Sequence, residues 1–289
     1  MFDKLLSKTK AVCDAKKNIQ GIGLKRMGIF DFFTKKEKMT ITSTKTNTVT
    51  DEEIKKVLDP HKRKAWYPVV KEEKGGRDTS KFSGSPVLLD SEEWPCCGNC
   101  KEPMQLFTQL NSNELPQDAN KPFGEGYLQV FYCTNSEKEC EIETEAFFPF
   151  SKSTLVRVLG FDEAFSKINK PSQVKEELPE KVITGWEPQN DYPSGEELDE
   201  LGVSFTDEQY DYAYEKNYTS LSNDKLLGWP LWVQGVEYPD CPECGERMNY
   251  IFQIDSNDNL DYMFGDAGCS HITQCKKHRE KLAIAWACG

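Results

Sequence analysis

Apolar and polar residues alternate from Met104 to Leu110 and again from Met248 to Ile254. Period two places Met104, Leu106, Thr108 and Leu110 on one face of a strand, and Met248, Tyr250, Phe252 and Ile254 on one face of another. Further strands are expected at Tyr127 to Tyr132, Glu145 to Phe150, His271 to Gln274 and Leu282 to Trp286. Between these groups the period lengthens: Leu155, Val158, Leu159, Ala164 and Phe165 recur at helical spacing and predict a helix from Thr154 to Ile168. Three hydroxyl residues sit where a helix should begin, Thr50 with Glu53, Ser194 with Glu197, and Thr206 with Gln209, each pair spaced to cap a first turn. The helix after Thr50 should stop near Leu58, because Pro60 cannot continue it. A polar loop then runs to Gly75 and Gly76. The fold class these elements predict is α+β, with antiparallel sheets and helices inserted between them.

The two strand regions repeat each other. Lys81, Gly84 and Pro86 fall on Lys225, Gly228 and Pro230 after a shift of 144 residues, and at the same shift Pro95, Cys97, Cys100, Met104 and Gln109 fall on Pro239, Cys241, Cys244, Met248 and Gln253. A fixed offset shared by so many positions predicts an internal duplication. Its halves span about 78–150 and 222–289, with a helical insert at about 151–221. Residues 50–289 then make one domain, and 1–49 a basic leader or linker.

Each copy carries a Cys-x-x-Cys knuckle and, at the end of a later strand, another thiol followed closely by a fourth donor. The first set is Cys97, Cys100, Cys133 and Cys140, and the second is Cys241, Cys244, Cys275 and His278. A tight turn lets two thiolates of a knuckle face one ion, and Gly98 and Asn99, or Pro242 and Gly245, suit such a turn. Soft ligands in sets of four point to two structural Zn2+ sites, since a full tetrahedral shell leaves no place for water or substrate. The alternative is that these thiols are small core residues with no metal.

Charge changes the picture of the partner. Residues 1–50 hold 11 basic and 4 acidic side chains, a balance of +7, which leaves −19 for the rest of a chain whose net charge is −12. An acidic body repels phosphate backbones, so nucleic acid is not the expected ligand. Eleven cysteines in 289 residues, with no apolar signal region after Met1, suggest a reducing, cytoplasmic setting. No apolar run approaches the roughly 18 residues of a membrane span.

The segment from Ser80 to Pro86, then Trp94 and Pro95, the knuckle, Pro103 and Met104, Gln109 and Leu110, and Phe264 to Gly268 before Leu282 to Trp286 resemble the YwqG-like family of bacterial domains over about Thr50 to Gly289. That resemblance implies a duplicated α+β fold built on antiparallel sheet and no established activity. Ser83 stands where a second glycine is usual in that family. Over the short repeat unit alone, the chain is also similar to programmed-cell-death-2-like proteins, which escort a ribosomal protein.

Candidate binding residues follow from these motifs. In the glycine-rich turn, Gly265 and Gly268 would let a ligand approach the backbone, and Asp266 would bind a cation or cap the turn itself. Gln109 and Gln253 occupy matching places, able to read a peptide edge, to bond one another across a pseudo-twofold axis, or simply to face solvent. Trp229, beside Gly228, lines a groove or belongs to the core. No nucleophile elbow, Walker loop or dinucleotide fingerprint occurs, and no catalytic residue is assigned. The expected function is a non-enzymatic, zinc-stabilised module binding a basic protein or peptide, as adaptor, inhibitor or chaperone. The competing expectation is a metal-assisted hydrolase or small-ligand enzyme centred on Asp266 and His271.

Overall fold

A computed structural model describes residues 49–90, 92–162, 174–256 and 258–289. The basic leader and the end of the helix expected to reach Ile168 lie outside them. Ten strands form one sheet: β1 (Arg63–Lys71), β2 (Lys81–Phe82), β3 (Gln105–Asn111), β4 (Tyr127–Tyr132), β5 (Thr154–Leu159), β6 (Lys181–Asp191), β7 (Lys225–Leu227), β8 (Asn249–Asp255), β9 (Cys269–Gln274) and β10 (Leu282–Ala287). Their spatial order is β10-β9-β8-β7-β1-β6-β2-β3-β4-β5, and every pairing is antiparallel. The long β1–β6 ladder is central, and each of its strands leads outward through four more. The end strands β5 and β10 approach each other, so the sheet nearly closes into a barrel. Near the closure the Trp286 amide donates to the Phe147 carbonyl at 3.2 Å. Inside lie Phe82, Phe107, Leu128, Phe252, Ile272 and Trp286, all buried.

Pairings on the two sides coincide at the 144-residue shift. Lys81 opposes Gln109 and Lys225 opposes Gln253, while the bridge Cys96 to Pro103 has its counterpart in Asp240 to Arg247. A bulge interrupts β3 between Leu106 and Thr108, and β8 between Tyr250 and Phe252. At such a bulge two residues oppose one, so the alternation changes phase. Leu106 packs around the first cysteine cluster, while Phe107 and Leu110 enter the barrel.

The helices are short. Thr50 and Thr206 form capping boxes on α1 (Asp51–Leu58) and α4 (Asp207–Glu215), and Ser194 caps α3 (Gly195–Glu200). Ile54, Leu58, Leu198 and Ala213 bury together against Tyr192 outside the barrel. One further turn, α2 (Cys140–Glu143), carries a cysteine of the first cluster.

Several expectations are corrected. Residues 154–159 are β5, not the start of a helix: Val156 and Val158 pack on the barrel core and Leu155 on the first cluster, so both faces of the strand are covered and its pattern loses period two. Glu145 to Phe150, expected as a strand, is a run of turns. The insert at 151–221 is not simply helical, because it contributes β5 and β6. The loop expected before Gly75 is largely β1. Pro68 hides that strand, and it is tolerated because β7 pairs only with Ala65 and Trp66, so Pro68 has a single neighbour, β6. No helix among the described residues is long and apolar enough to cross a membrane.

Candidate metal centres

Cys97 and Cys100 sit on a knuckle just before β3, Cys133 at the end of β4, and Cys140 at the start of α2. Cys241 and Cys244 occupy the equivalent knuckle before β8, Cys275 ends β9, and His278 lies in the turn that leads to β10. Local hydrogen bonds shape both knuckles alike. The Cys97 amide donates to the Glu102 carbonyl at 2.9 Å and the Lys101 amide to the Cys97 carbonyl at 3.0 Å; Cys241 to Glu246 and Gly245 to Cys241 repeat this at 2.9 and 2.8 Å.

In each group the four donor atoms lie within 4.8 Å of one another. Cys100 Sγ is 3.7 Å from Cys133 Sγ, and Cys244 Sγ is 3.7 Å from Cys275 Sγ. A disulfide would bring the sulfurs to about 2.05 Å. Sulfurs about 2.3 Å from one tetrahedral ion would stand about 3.8 Å apart, which fits. His278 turns Nδ1 toward the thiols, 3.6 Å from Cys241 Sγ and 3.9 Å from Cys275 Sγ. Backbone amides already aim at the sulfurs, from Asn99 to Cys97 at 3.4 Å and from His278 to Cys275 at 3.2 Å, as outer-shell donors to bound thiolates do. Burial pushes the Cys133 and Cys140 thiols up, so the first cluster is a place where a cation would offset the cost of ionising them. Both groups could hold a metal ion.

The other candidates are dispersed. Gln109 is fully buried: its Oε1 accepts from the Val87 amide at 2.9 Å and from Gln129 Nε2 at 2.8 Å, and its Nε2 donates to the carbonyls of Arg77 and Thr79 at 2.6 and 3.0 Å. Gln253 accepts from Leu231 at 2.8 Å and donates to Leu221 and Asn223 at 3.4 and 2.8 Å, the same three backbone positions 144 residues on. The two glutamines do not meet. Each fastens the loops on its own side, and neither is free to read a peptide. Trp229 is also interior: its ring stacks under the Arg63 guanidinium at 3.2 Å, and its Nε1 donates to the His61 carbonyl at 2.8 Å. In the glycine turn, a Cβ on Gly265 would stand 2.6 Å from Cys288 Sγ, and one on Gly268 would collide with the Ala287 carbonyl. These glycines are required by packing, and the space beneath them is filled. Asp266 is exposed, whereas His271 is buried against the ring of Trp232 at 4.6 Å.

The family model described as "Domain of unknown function (DUF1963)" matches residues 80–278, more than half of the chain. The chain belongs to this family. No curated protein matches it. The matched span of the DUF1963 domain ends on His278 and so encloses all eight metal-ligand candidates.

Within the DUF1963 domain, the sequence motif Lys-x-x-Gly marks something that pattern reading alone missed. Lys81 is buried and donates to Gly76 and Ser85 carbonyls at 2.6 and 2.9 Å and to Glu180 at 3.2 Å. Lys225 is buried and donates to the Leu221 carbonyl at 2.5 Å, with Asp191 at 3.0 Å. A Cβ on Gly84 would collide with Glu180, and one on Gly228 with Asp191. The motif therefore leaves room for a carboxylate over each glycine and supplies the cation that holds it. Glu180 and Asp191 come from the two ends of β6, far outside the repeat in sequence, which is why the 144-residue comparison could not reveal them.

Proposed function

We propose that this DUF1963 protein is a non-enzymatic binding module, a duplicated domain stapled by two Zn2+ ions, that holds a basic protein or peptide. The observation that carries this reading is the pair of four-donor clusters: each offers a complete tetrahedral shell, and an ion so enclosed supplies no open position for chemistry. Cys97, Cys100, Cys133 and Cys140 would hold one ion, and Cys241, Cys244, Cys275 and His278 the other. The coincidence of pairings at the 144-residue shift supports a duplication, in which each half builds one sheet wing and one knuckle. The −19 balance beyond residue 50 supports a basic partner, because charge of that size steers oppositely charged proteins. The similarity of the repeat unit to programmed-cell-death-2-like proteins points the same way, toward an adaptor, inhibitor or chaperone in the cytoplasm.

The test is metal stoichiometry combined with X-ray absorption at the zinc edge. Two zinc ions per chain, one with four sulfurs and one with three sulfurs and one nitrogen, is the expected result. A site with three protein donors and a bound water, together with hydrolytic activity lost on chelation, would overturn the reading.

A further inference from the structure

β5 and β10 approach each other at opposite ends of the strand order, and among the described residues no ladder joins them. A seam without a ladder leaves strand-edge groups there for another part of the chain to cover. The two halves differ in what they bring to it. β9 and β10 are linked by the short turn 275–281, whereas β4 and β5 are linked by the much longer segment 133–153, which carries α2. The internal repeat does not account for that added length.

The long connection lies across the seam. Ala146 and Phe147 are buried in the barrel core, the Phe147 carbonyl accepts the Trp286 amide of β10 at 3.2 Å, and the Phe147 ring meets the Trp286 indole edge-on at 5.8 Å. Glu141 of α2 makes a second fastening. Its Oε2 accepts the Tyr132 hydroxyl at 2.8 Å and the Tyr262 hydroxyl at 2.6 Å, and the Tyr132 oxygen in turn accepts from Trp286 Nε1 at 2.9 Å. Tyr132 belongs to β4, Tyr262 to the loop between β8 and β9, and Trp286 to β10. A single carboxylate oxygen therefore ties the first half of the barrel to the second. Two phenols converging on one carboxylate in a buried setting make a strong, directional tie. Tyr132 is completely buried, so its hydroxyl has no water to replace Glu141.

α2 spans only Cys140–Glu143, and its first residue is a donor of the first cluster. Adjacent side chains of one turn thus face different ways, Cys140 toward the thiols and Glu141 toward the two tyrosines. Resting on the reading of the first cluster as a filled zinc site, we propose that segment 140–147 is a latch on the barrel and that the ion at this cluster holds it shut. Cys140 fixes α2 to the knuckle, Glu141 then lies between Tyr132 and Tyr262, and Phe147 covers the edge of β10. A helix of four residues has little of its own to hold it. Without the ion the latch loosens, and the seam between β5 and β10 becomes the part of the barrel that opens. The first cluster thereby controls access to the aromatic interior as well as shaping its knuckle.

The test is hydrogen–deuterium exchange of the Trp286 amide in the full zinc-loaded chain. The Ile183 amide, which donates to the Ser80 carbonyl at 2.9 Å beside the central ladder, is the internal standard. Cys140→Ser, read at one zinc per chain, and Glu141→Ala should each speed Trp286 exchange by about tenfold, and Tyr262→Phe by about threefold, while Ile183 changes by less than about twofold. In all three variants the Cys97 and Met104 amides, backed by the apolar core of the first knuckle, should keep their protection. Should Glu141→Ala fail to fold, Tyr262→Phe, which removes one hydroxyl, decides alone. Unchanged Trp286 exchange in the Glu141 and Tyr262 variants would overturn the latch and leave the zinc reading standing. Faster exchange in those two but not in Cys140→Ser would overturn control by the ion. A wild-type chain with no zinc at the first cluster would overturn that control and the zinc reading together.

Discussion

Lys225 Nζ stands 3.0 Å from Asp191 Oδ2 with both side chains completely buried, which makes them the most enclosed ion pair among the described residues. Burial pushes the Asp191 carboxyl up and the Lys225 ammonium down, and their mutual attraction works against both shifts. The Trp229 and Leu221 amides add hydrogen bonds to Asp191 at 2.7 and 2.9 Å. Breaking such a pair from one side leaves a buried charge with no counterion, at a cost of about 3–5 kcal/mol. Lys225→Met should therefore lower the unfolding free energy by about that amount in urea titrations, and Asp191→Ala likewise. The double variant should cost less than the sum of the two. Additive losses would mean that the pair is not coupled.

How much of this was legible in the sequence depends on the range of the interactions. The knuckles, the capped helices and strands such as β4 and β10 were readable because each is written in a few consecutive residues. β1 and β6 were not, although they form the centre of the sheet: Pro68 interrupts the apolar run of β1, and β6 alternates weakly because its middle is largely exposed. The two four-donor groups were readable because cysteine spacing repeats. Gln109 and Gln253 were rightly singled out as equivalent but given the wrong work, because the backbone groups they fasten lie about 20–30 residues away and carry no side-chain signature.

Asp224 provides a pH signature. Burial first, and the neighbouring charge of Asp258 second, pushes its carboxyl from 3.8 up to about 8. The folded state therefore holds a proton between about pH 4 and 8 that the unfolded chain releases, and stability falls as pH rises through that window, by up to about 1.4 kcal/mol per pH unit. Above pH 8 the contribution is flat. The first half places Ser80 at the equivalent position, where its Oγ accepts from the Asn111 amide at 2.9 Å as Asp224 Oδ1 accepts from Asp255 at 2.8 Å. Asp224→Ser should keep the fold and remove that slope, read as urea midpoints of the two proteins against pH. Parallel curves would show that Asp224 is ionised throughout.

Lys101 carries a backbone compromise of its own. It adopts φ of 65° at the position where the other knuckle has Gly245 at 68°. A side chain there costs about 1 kcal/mol that glycine avoids, less the entropy glycine gains when unfolded. Lys101→Gly should stabilise the metal-loaded protein by a few tenths of a kcal/mol to about 1 kcal/mol. Gly245→Lys should destabilise it by a similar amount, and matched thermal melts of the two variants measure both signs at once.

Metal removal should not affect the two knuckles equally. The first is backed by Leu88, Trp94, Met104, Leu106 and Phe131, all buried, and Trp94 Nε1 donates to the Met104 carbonyl at 2.8 Å. Around the second, the buried apolar residues besides the cysteines are Met248 and Ala283. An apolar core holds a loop in place without an ion, whereas a loop with little core depends on its ligands. After chelation, the amides of Cys241, Gly245 and Met248 should exchange with deuterium at least tenfold faster than before, while those of Cys97, Lys101 and Met104 keep most of their protection. The expected order is thus loss at the second site first, followed by the first site only near global unfolding. Equal acceleration at both knuckles would mean that the ion, and not the packing of Trp94 and Phe131, holds the first one together.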